Sequence, residues 1–331
     1  MFAVAILSAG IGVYFLLYPY AGFQGEVFVD IPRGASTRAI AQKLADSSVI
    51  SSPWPFLALR ALRSGVRLQA GEYRFAEPAS TYEVYDRIGR GDVFYYELKI
   101  PEGYTSFDIA ASLEKMGLMK SGDFLTVARE PDLIRDLAPE APSLEGYLFP
   151  DTYRITRRTT ATELCRALTQ RFREAWRELK TDANVHRTVT LASLVEKETG
   201  VAEERPTVAS VFANRLRMGM KLDCDPTTVY AALLQGRYKG TLHRSDLDSD
   251  HPYNTYRHVG LPPGPIANPG LASLRAALAP AETDFVYFVA HGDGSGRHSF
   301  SKDIGAHAAA VERYRSAQKQ DVKKTAPARV P

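Results

Sequence analysis

Residues 190–225 have the sequence TLASLVEKETGVAEERPTVASVFANRLRMGMKLDCD, which places a carboxylate, Glu198, where a soluble helix normally carries an apolar side chain. The pattern predicts a helix over 188–199. Three apolar residues stand seven, four and three positions before Glu198: Leu191, Leu194 and Val195. Because these spacings share one helix face, we expect Glu198 to lie on the buried stripe of that helix.

A second helix is expected after a short elbow. Gly200 suits the end of the first helix, and Pro206 suits the first turn of the next, which we expect to run to about residue 218. Glu196 lies about 200° round the first helix from Glu198, because each residue turns an α-helix by about 100°. Glu196 is therefore expected to point elsewhere.

A carboxyl group on an apolar helix face loses hydration, which raises its pKa and keeps it protonated near neutral pH, as a general acid requires. Two other interpretations fit the same spacing. Glu198 pairs with an arginine such as Arg205 or Arg215, or the helix ends a turn early and leaves the carboxylate in water. Since structural ion pairs also perturb carboxylates, the spacing by itself leaves all three open.

The composition is that of an ordinary globular protein of about two domains, with 331 residues of which 45% are hydrophobic and 24% charged. The net charge of +3 is slight and favours neither a nucleic-acid partner nor an acidic one. Cys165 and Cys224 match no metal or redox spacing, so two free buried thiols or one disulfide are both open. With no HExxH, Gly-rich phosphate loop or GxSxG motif, we expect no metal and no cofactor.

Residues 2–20, FAVAILSAGIGVYFLLYPY, are uncharged and close to the ~20 residues that cross a bilayer. We expect residues 1–20 to be a transmembrane helix, because no small-x-small cleavage site follows and the tyrosines at its far end suit a membrane interface. A cleaved signal peptide is the alternative. No Lys or Arg precedes the segment, so charge does not predict its orientation.

An internal repeat organises the first half of the chain. Residues 29–50 (VDIPRGASTRAIAQKLADSSVI) align with 98–119 (LKIPEGYTSFDIAASLEKMGLM) at a constant offset of 69. Each copy has the pattern of a short strand, a Pro and Gly turn, and an amphipathic helix with Ser or Thr at its start. The repeat predicts two strand–helix units, which are either binding modules or plain scaffold.

Three further segments have compositions typical of functional loops. Residues 143–155, SLEGYLFPDTYRI, combine acids with aromatic rings, as both sugar sites and well-packed turns do. Residues 223–228, DCDPTT, predict a turn with two acids, and the Pro-, Gly- and Tyr-rich residues 251–270 predict a long loop that walls a cleft. A strand over 285–290 leads into a hairpin whose His298 either faces this cleft or is structural.

Several of these blocks together resemble the YceG-like (MltG) family of endolytic murein transglycosylases. The most specific are EGYLFPDTY, LASLVEKET with ERPTVASVFANRLRMGMKLDCDPT, YNTY with GLPPGPIANPG, and YFVA with HSF. They follow one another in the family's order. The resemblance covers the chain from the hydrophobic segment to about residue 314.

We expect an α+β protein with four parts: a transmembrane anchor at 1–20, a small LysM-like strand–helix module at 26–97, a mixed α+β catalytic domain at 98–317 and a basic tail at 318–331, whose polar composition predicts disorder. The resemblance implies the LysM-like module and the catalytic domain. It implies a single-pass protein of the cell inner membrane whose catalytic part lies in the periplasm and cleaves nascent peptidoglycan glycan strands. Peptidoglycan synthases (penicillin-binding proteins) are expected partners, and nucleic acid is not.

In that family the second Glu of the EKET motif is catalytic, which is Glu198 here. The implied reaction breaks the bond between N-acetylmuramic acid and N-acetylglucosamine without water. The acid protonates the glycosidic oxygen, an oxocarbenium-like state forms, and the carboxylate takes the proton of the muramoyl 6-hydroxyl as a 1,6-anhydro ring closes. The expected substrate-binding residues are Glu145, Tyr147, Asp151, Tyr253, Asn254, Thr255 and Tyr256. The expected supporting residues are Asn214, Arg215 and Asp225.

Two rival functions stay open. A lysozyme-like muramidase would use Glu198 with a second carboxylate, Glu145, Asp151 or Asp225, and would release reducing ends. A non-catalytic peptidoglycan-binding membrane protein would act through its repeat and would be unaffected by Glu198→Gln.

Overall fold

The computed structural model describes residue 14 and residues 16–325, with side chains described as far as residue 317. These residues form twelve α-helices and three two-stranded sheets, which confirms the predicted α+β class. They divide into two compact units. The first comprises the described residues up to Glu97 and Arg154–Arg158, and the second comprises Leu98–Tyr153 and the chain from Thr159 onward.

Of the predicted transmembrane segment at 1–20, residues 1–13 and residue 15 lie outside the described residues. Within the part of the chain that the structure describes, no helix is both long enough and apolar enough to cross a bilayer.

The first unit is a two-stranded antiparallel sheet with three helices. Strand β1 (Val27–Ile31) pairs with β2 (Gly71–Phe75). The helices are α1 (Thr37–Asp46), α2 (Pro53–Leu62) and α3 (Thr81–Arg90), and α2 packs against both others. The core takes apolar residues from all five elements: Val29, Ile31, Leu44, Phe56, Tyr73, Phe75, Tyr85 and Ile88.

Strands β3 (Tyr96–Lys99) and β4 (Thr152–Ile155) pair with each other, and the boundary between the units falls within both strands. The second unit continues with α4 (Ser106–Lys115), α5 (Ser121–Ala128) and α6 (Ala161–Glu178). Helix α5 packs against both α4 and α6.

The centre of the second unit is a group of helices built around the residues quoted first. Helix α7 (Val185–Glu198) packs against α8 (Arg205–Arg217), α9 (Asp225–Leu234) and α11 (Leu271–Leu278), with the short α10 (Arg244–Leu247) beside α9. The two predicted helices and their elbow are confirmed within three residues. The predicted turn at 223–228 is wrong beyond its first two residues, because Pro226 lies in the first turn of α9, where a missing N–H costs nothing.

The chain ends in a hairpin and a long helix. Strand β5 (Tyr287–Ala290) pairs antiparallel with β6 (His298–Ser301), as predicted, and α12 (Ile304–Thr325) packs against both strands. The backbone of α12 extends into the tail that composition predicts to be disordered, while 326–331 lie outside the described residues.

The repeat is confirmed at the level of the backbone. Gly34 and Gly103, which are 69 residues apart, have φ angles of 78° and 77° in the turn between strand and helix. The side chain of Ser36 caps α1 and that of Thr105 caps α4, each accepting a hydrogen bond from the backbone N–H three residues on. A glycine with positive φ in the turn and a Ser or Thr N-cap therefore produce the same strand–turn–helix unit twice.

Candidate active site

Helix α7, which carries Glu198 as its last residue, is buried on all sides rather than along one stripe. Every residue from 188 to 195 is buried. Two polar residues among them bond to backbone, since Thr190 donates to the carbonyl of His186 at 2.8 Å and Ser193 donates to that of Thr190 at 2.7 Å. A helix enclosed in this way holds its last residue in a defined position.

Glu198 is half-buried, and its Oε1 accepts a hydrogen bond from the thiol of Cys224 at 3.0 Å. Burial raises the pKa of Glu198, and the negative charge of Asp225 raises it further. The Cys224 hydrogen bond and the positive charges of His298 and Arg215 act in the opposite direction. The position at the C-terminal end of α7 also disfavours a negative charge, because the helix dipole is negative there.

The predicted alternative, an ion pair between Glu198 and a neighbouring arginine, is not what the structure has. Arg205 pairs with Glu196 at 3.4 Å and lies 3.7 Å from Glu102. Glu196 also accepts a hydrogen bond from the backbone N–H of Gly270 at 3.0 Å. Glu196 therefore points away from Glu198, as predicted, and fastens the end of α7 to the start of α11.

Arg215 and Asn214, at the other end of α8, bond to backbone carbonyls. Arg215 donates to Val286 at 2.6 Å and to Leu222 at 2.9 Å, and its ion pair is with Asp223 at 3.4 Å. Asn214 donates to the carbonyls of Thr283 and Phe285 at 2.8 and 2.9 Å. Both side chains brace the segments that lead into Cys224 and into β5.

Cys224 is held in place from two directions. Its backbone N–H donates to Oγ1 of Thr255 at 3.0 Å, and its carbonyl accepts from Oγ1 of Thr227 at 2.6 Å. The two threonine hydroxyls are themselves 2.9 Å apart. This network joins the start of α9 to the 251–270 loop, directly behind the partner of Glu198.

The YNTY segment of that loop divides into buried and accessible residues. Asn254 and Thr255 are 0% and 1% exposed, and Asn254 donates to the carbonyls of Leu247 and Ser249 at 2.9 and 2.6 Å. Tyr253 is also buried, with its ring centroid 5.1 Å from that of Tyr230. Tyr256 is half-buried and donates its hydroxyl to Asp225 at 2.6 Å, so it is the best placed of the four to meet a substrate beside Glu198.

Glu145 lies deep inside the second unit, 2% exposed. Its carboxylate accepts hydrogen bonds from Ser106 through both the backbone N–H and the hydroxyl, from Asn268 at 2.9 Å and from the Tyr230 hydroxyl at 3.2 Å. Burial raises the pKa of Glu145 to about 7. These contacts join α4, α9 and two loops, and its predicted contact with substrate gains no support from them.

Tyr147 and Asp151 have partners of their own. Tyr147 is fully buried, with its hydroxyl 2.9 Å from Nδ1 of His186. Asp151 is exposed and forms an ion pair with Arg171 of α6 at 2.9 Å, which lowers the pKa of Asp151. Of the second carboxylates considered from the sequence, Asp225 is the one whose charge acts on Glu198.

His298, at the start of β6, is fixed by a buried carboxylate. Its ring Nδ1 lies 2.8 Å from Oε2 of Glu204, and its backbone N–H donates to Oε1 of the same side chain at 3.0 Å. His298 is therefore structurally bound, and its positive charge lowers the pKa of Glu198. That it faces the cleft stays a prediction.

A groove of about 350 Å³ is lined by two residues close to Glu198, although not by Glu198 itself. Its walls include Lys197, which directly precedes Glu198 in sequence, Asp225, whose charge raises the pKa of Glu198, and the apolar side of α9. The lining residues are Thr105, Asp108, Lys197, Asp225, Pro226, Val229, Tyr230, Leu233, Tyr238 and Ile266. Apolar walls with a charged rim suit a sugar ring, which has apolar faces and a hydroxyl edge. Among the described residues, no group of three or more His, Cys, Asp or Glu side chains is placed to hold a metal ion.

Sequence reasoning missed two residues of this region. Cys224 was considered only as a thiol, although it stands inside the DCDPT block. Asn268 binds the backbone N–H groups of Gly146 and Leu148 and the carbonyl of Tyr104, 120 to 164 residues earlier in the chain. No local pattern could have identified such partners.

Comparison with known proteins gives concordant results. The model of the YceG-like family matches residues 29–313. An endolytic murein transglycosylase of Bacillus subtilis (strain 168) is 33% identical over 315 residues, which cover 89% of this chain and 86% of that protein. One of Streptococcus pneumoniae serotype 2 (strain D39 / NCTC 7466) is 30% identical over 87% of this chain, and the chain spans 59% of its length.

A solved structure shares the fold. The crystal structure of a YceG-like protein from Listeria monocytogenes superposes with a TM-score of 0.55 at 32% sequence identity, covering 87% of this chain and 99% of that one.

Proposed function

Because this chain belongs to the YceG-like family, we propose that it is a lytic transglycosylase that cuts peptidoglycan glycan strands internally, with Glu198 as the acid. Its relatives from B. subtilis and S. pneumoniae are named endolytic murein transglycosylases. The observation that carries the proposal is the state of Glu198, a half-buried carboxyl with a raised pKa, whose hydrogen-bond partner is a neutral thiol. Burial and a neutral donor shift such a carboxyl toward its protonated form, which is the form that a general acid needs.

The bond cleaved is that between N-acetylmuramic acid and N-acetylglucosamine. Glu198 gives its proton to the glycosidic oxygen as the C1–O bond breaks and an oxocarbenium-like state forms. The Glu198 carboxylate then takes the proton of the muramoyl 6-hydroxyl, whose oxygen bonds to C1 and closes a 1,6-anhydro ring. No water is consumed, and one carboxyl performs both proton transfers, unlike the two carboxylates of ordinary glycosidases.

The groove beside Glu198 accommodates part of the glycan. Its volume of about 350 Å³ suits one hexosamine ring, with Val229, Leu233 and Ile266 against the ring face and Lys197 at the rim. Tyr256, held by its hydrogen bond to Asp225, offers an aromatic face for a neighbouring sugar.

A muramidase remains the second candidate because of Asp225. Its charge raises the pKa of Glu198, and its carboxylate accepts a hydrogen bond from the Tyr256 hydroxyl, so in a muramidase Asp225 is the group that activates a water molecule. In that case the product carries a reducing end in place of the anhydro ring.

The location that we propose is the cell inner membrane, with residues 1–20 as the anchor and the catalytic part in the periplasm. Support comes from the uncharged segment at 2–20 and from the substrate, which lies outside the cytoplasm. Such a tether keeps the enzyme near nascent strands and near the peptidoglycan synthases that make them.

The test is mass spectrometry of the glycan products. Full-length protein in mild detergent is incubated with uncross-linked peptidoglycan as wild type, as Glu198→Gln and as Glu203→Gln, an exposed glutamate five residues away. We expect anhydro-muramoyl ends from the wild type and from Glu203→Gln. For Glu198→Gln we expect the rate of cleavage to fall by about 100-fold or more, because general acids contribute at least that much. Reducing ends would indicate the muramidase. Binding without cleavage by the wild type would indicate a binding protein.

A further inference from the structure

The contact between Cys224 and Glu198 has a defined direction. A protonated thiol donates weakly and a carboxyl oxygen accepts, so the 3.0 Å contact is a hydrogen bond from Sγ to Oε1. Cys224 is 1% exposed, and its backbone N–H and carbonyl are both held by threonine hydroxyls. The thiol therefore points at Glu198 from a rigid support.

The thiol is suited to donation and not to nucleophilic chemistry. Burial raises the pKa of Cys224 well above its usual range, and the charge of Glu198 raises it further. Cys224 thus keeps its proton throughout the pH range in which Glu198 changes charge. It is a permanent donor on one oxygen of the acid.

We propose that Cys224 is a positioning residue of the reaction: its thiol holds Oε1 of Glu198, so that Oε2 is the oxygen that carries the transferred proton. This inference rests on the proposed function of Glu198. In the acid form, the carbonyl-like Oε1 accepts the S–H bond and Oε2–H is left for the glycosidic oxygen. In the carboxylate form, the same bond keeps the carboxylate plane fixed while Oε2 takes the proton of the 6-hydroxyl.

The charged groups that act on Glu198 come from several elements. Asp225 at the start of α9 raises its pKa, while His298 of β6 and Arg215 of α8 lower it. All three remain when Cys224 is replaced, so the change in pH dependence reports the lost hydrogen bond. Since this bond favours the charged form, its removal raises the pKa of Glu198.

The experiment compares Cys224→Ala with Cys224→Ser over a range of pH. For Cys224→Ala we expect kcat to fall about fivefold, the value of one hydrogen bond, with KM unchanged, because the thiol does not touch substrate. The alkaline limb of the kcat profile should move up by about half a pH unit or more. Cys224→Ser keeps a hydrogen-bond donor, so its kcat and the position of its alkaline limb should both lie close to those of the wild type.

The matched control is Cys165→Ala, which removes a buried thiol from α6 with no contact to Glu198. It should lose a similar volume from the core and keep the wild-type pH profile. Thermal melting of each variant identifies any loss of folding. A Cys224→Ala enzyme with wild-type kcat and pH profile, or a Cys224→Ser enzyme as impaired as Cys224→Ala, would overturn the inference.

A second measurement is independent of activity. The infrared S–H stretch of Cys224, assigned by difference from Cys224→Ala, should move to higher frequency in Glu198→Ala because the acceptor is gone. An unchanged band would refute the hydrogen bond. An active Glu198→Gln enzyme would overturn the proposed function itself, whereas an inactive one beside a fully active Cys224→Ala enzyme would overturn only the role of Cys224.

Discussion

Glu198 owes its raised pKa first to burial and only second to its neighbours. Asp225 pushes the pKa upward, and Cys224, His298 and Arg215 push it downward. Lost hydration dominates because a carboxylate at the end of an enclosed helix gives up water molecules, and few protein groups replace them. The charged and hydrogen-bonding neighbours then move the pKa of Glu198 up or down from the level that burial sets.

Asp225→Asn tests this balance. Without the nearby negative charge, the carboxylate form of Glu198 costs less and its pKa falls. The proposed reaction needs the protonated form of Glu198, so we expect activity to be lost as pH rises through the pKa of Glu198. We therefore expect the alkaline limb of the kcat profile to move to lower pH, the opposite of the shift for Cys224→Ala, with kcat on the acidic side within about threefold of wild type.

The control for Asp225→Asn is Asp223→Asn, two residues away. Asp223 pairs with Arg215 and has a φ of 46°, a conformation that Asn tolerates, so the variant should fold. Asp223→Asn should leave the alkaline limb of the kcat profile at nearly the wild-type pH. If Asp225→Asn instead loses about 100-fold or more at every pH, Asp225 is a catalytic carboxylate and the muramidase mechanism gains support.

The sequence identified Glu198 because helical phase is a local property. It could not identify Cys224 as its partner, since the two are 26 residues apart and meet only when α7 and α9 pack together. Residues 188–195 are all buried, so an apolar stripe was not what placed Glu198.

At the scale of elements, the loop before β4 depends on a close approach to α7. Gly146 has a φ of 89°, and a Cβ atom there would overlap Pro265 and lie 2.9 Å from Cγ1 of Val189 on α7. Its backbone N–H donates to Asn268 at 2.9 Å. This glycine therefore lets the loop pack against the helix that carries Glu198.

Gly146→Ala and Gly117→Ala form a matched pair. Gly117 has a φ of 66° but open space around it, so alanine there costs only the strain of the left-handed backbone, about 1 kcal/mol. At Gly146 the same strain is joined by overpacking, for a total of about 3 kcal/mol. Urea unfolding followed by the fluorescence of buried Trp176 measures both. If the two variants lost the same unfolding free energy, the loop around Gly146 would have to move away from α7 at little cost.

Elements with strong local signals were predicted well. The two strand–helix units, α7, α8 and the β5–β6 hairpin all follow from periodicity, caps and turn residues. The first four residues of α9 were predicted as a turn because DCDPTT contains turn-forming residues, whereas the burial of Tyr230, Ala231 and Ala232 further along favours the helix. The helical backbone of α12 from 318 to 325 also went beyond the prediction from composition.

At the scale of the whole molecule, the predicted anchor makes a testable claim. The full-length protein should stay with membranes after a carbonate wash, and a variant lacking residues 1–20 should be released, because the uncharged segment at 2–20 is the chain's long apolar stretch. Mass spectrometry of the mature chain distinguishes a signal peptide, which would be absent. A released full-length chain would contradict the anchor.

The sequence by itself determined the α+β class, the duplicated unit, the central pair of helices and the glutamate at their elbow. These follow from spacing and propensity within about twenty residues, where backbone geometry alone decides which side chains share a face. Tertiary structure alone decided that Arg205 pairs with Glu196 and that the thiol of Cys224 donates to Glu198. It also decided that Glu145 is enclosed by Ser106, Tyr230 and Asn268. Burial and long-range hydrogen bonds exist only once distant segments pack, and they set the protonation of the acid.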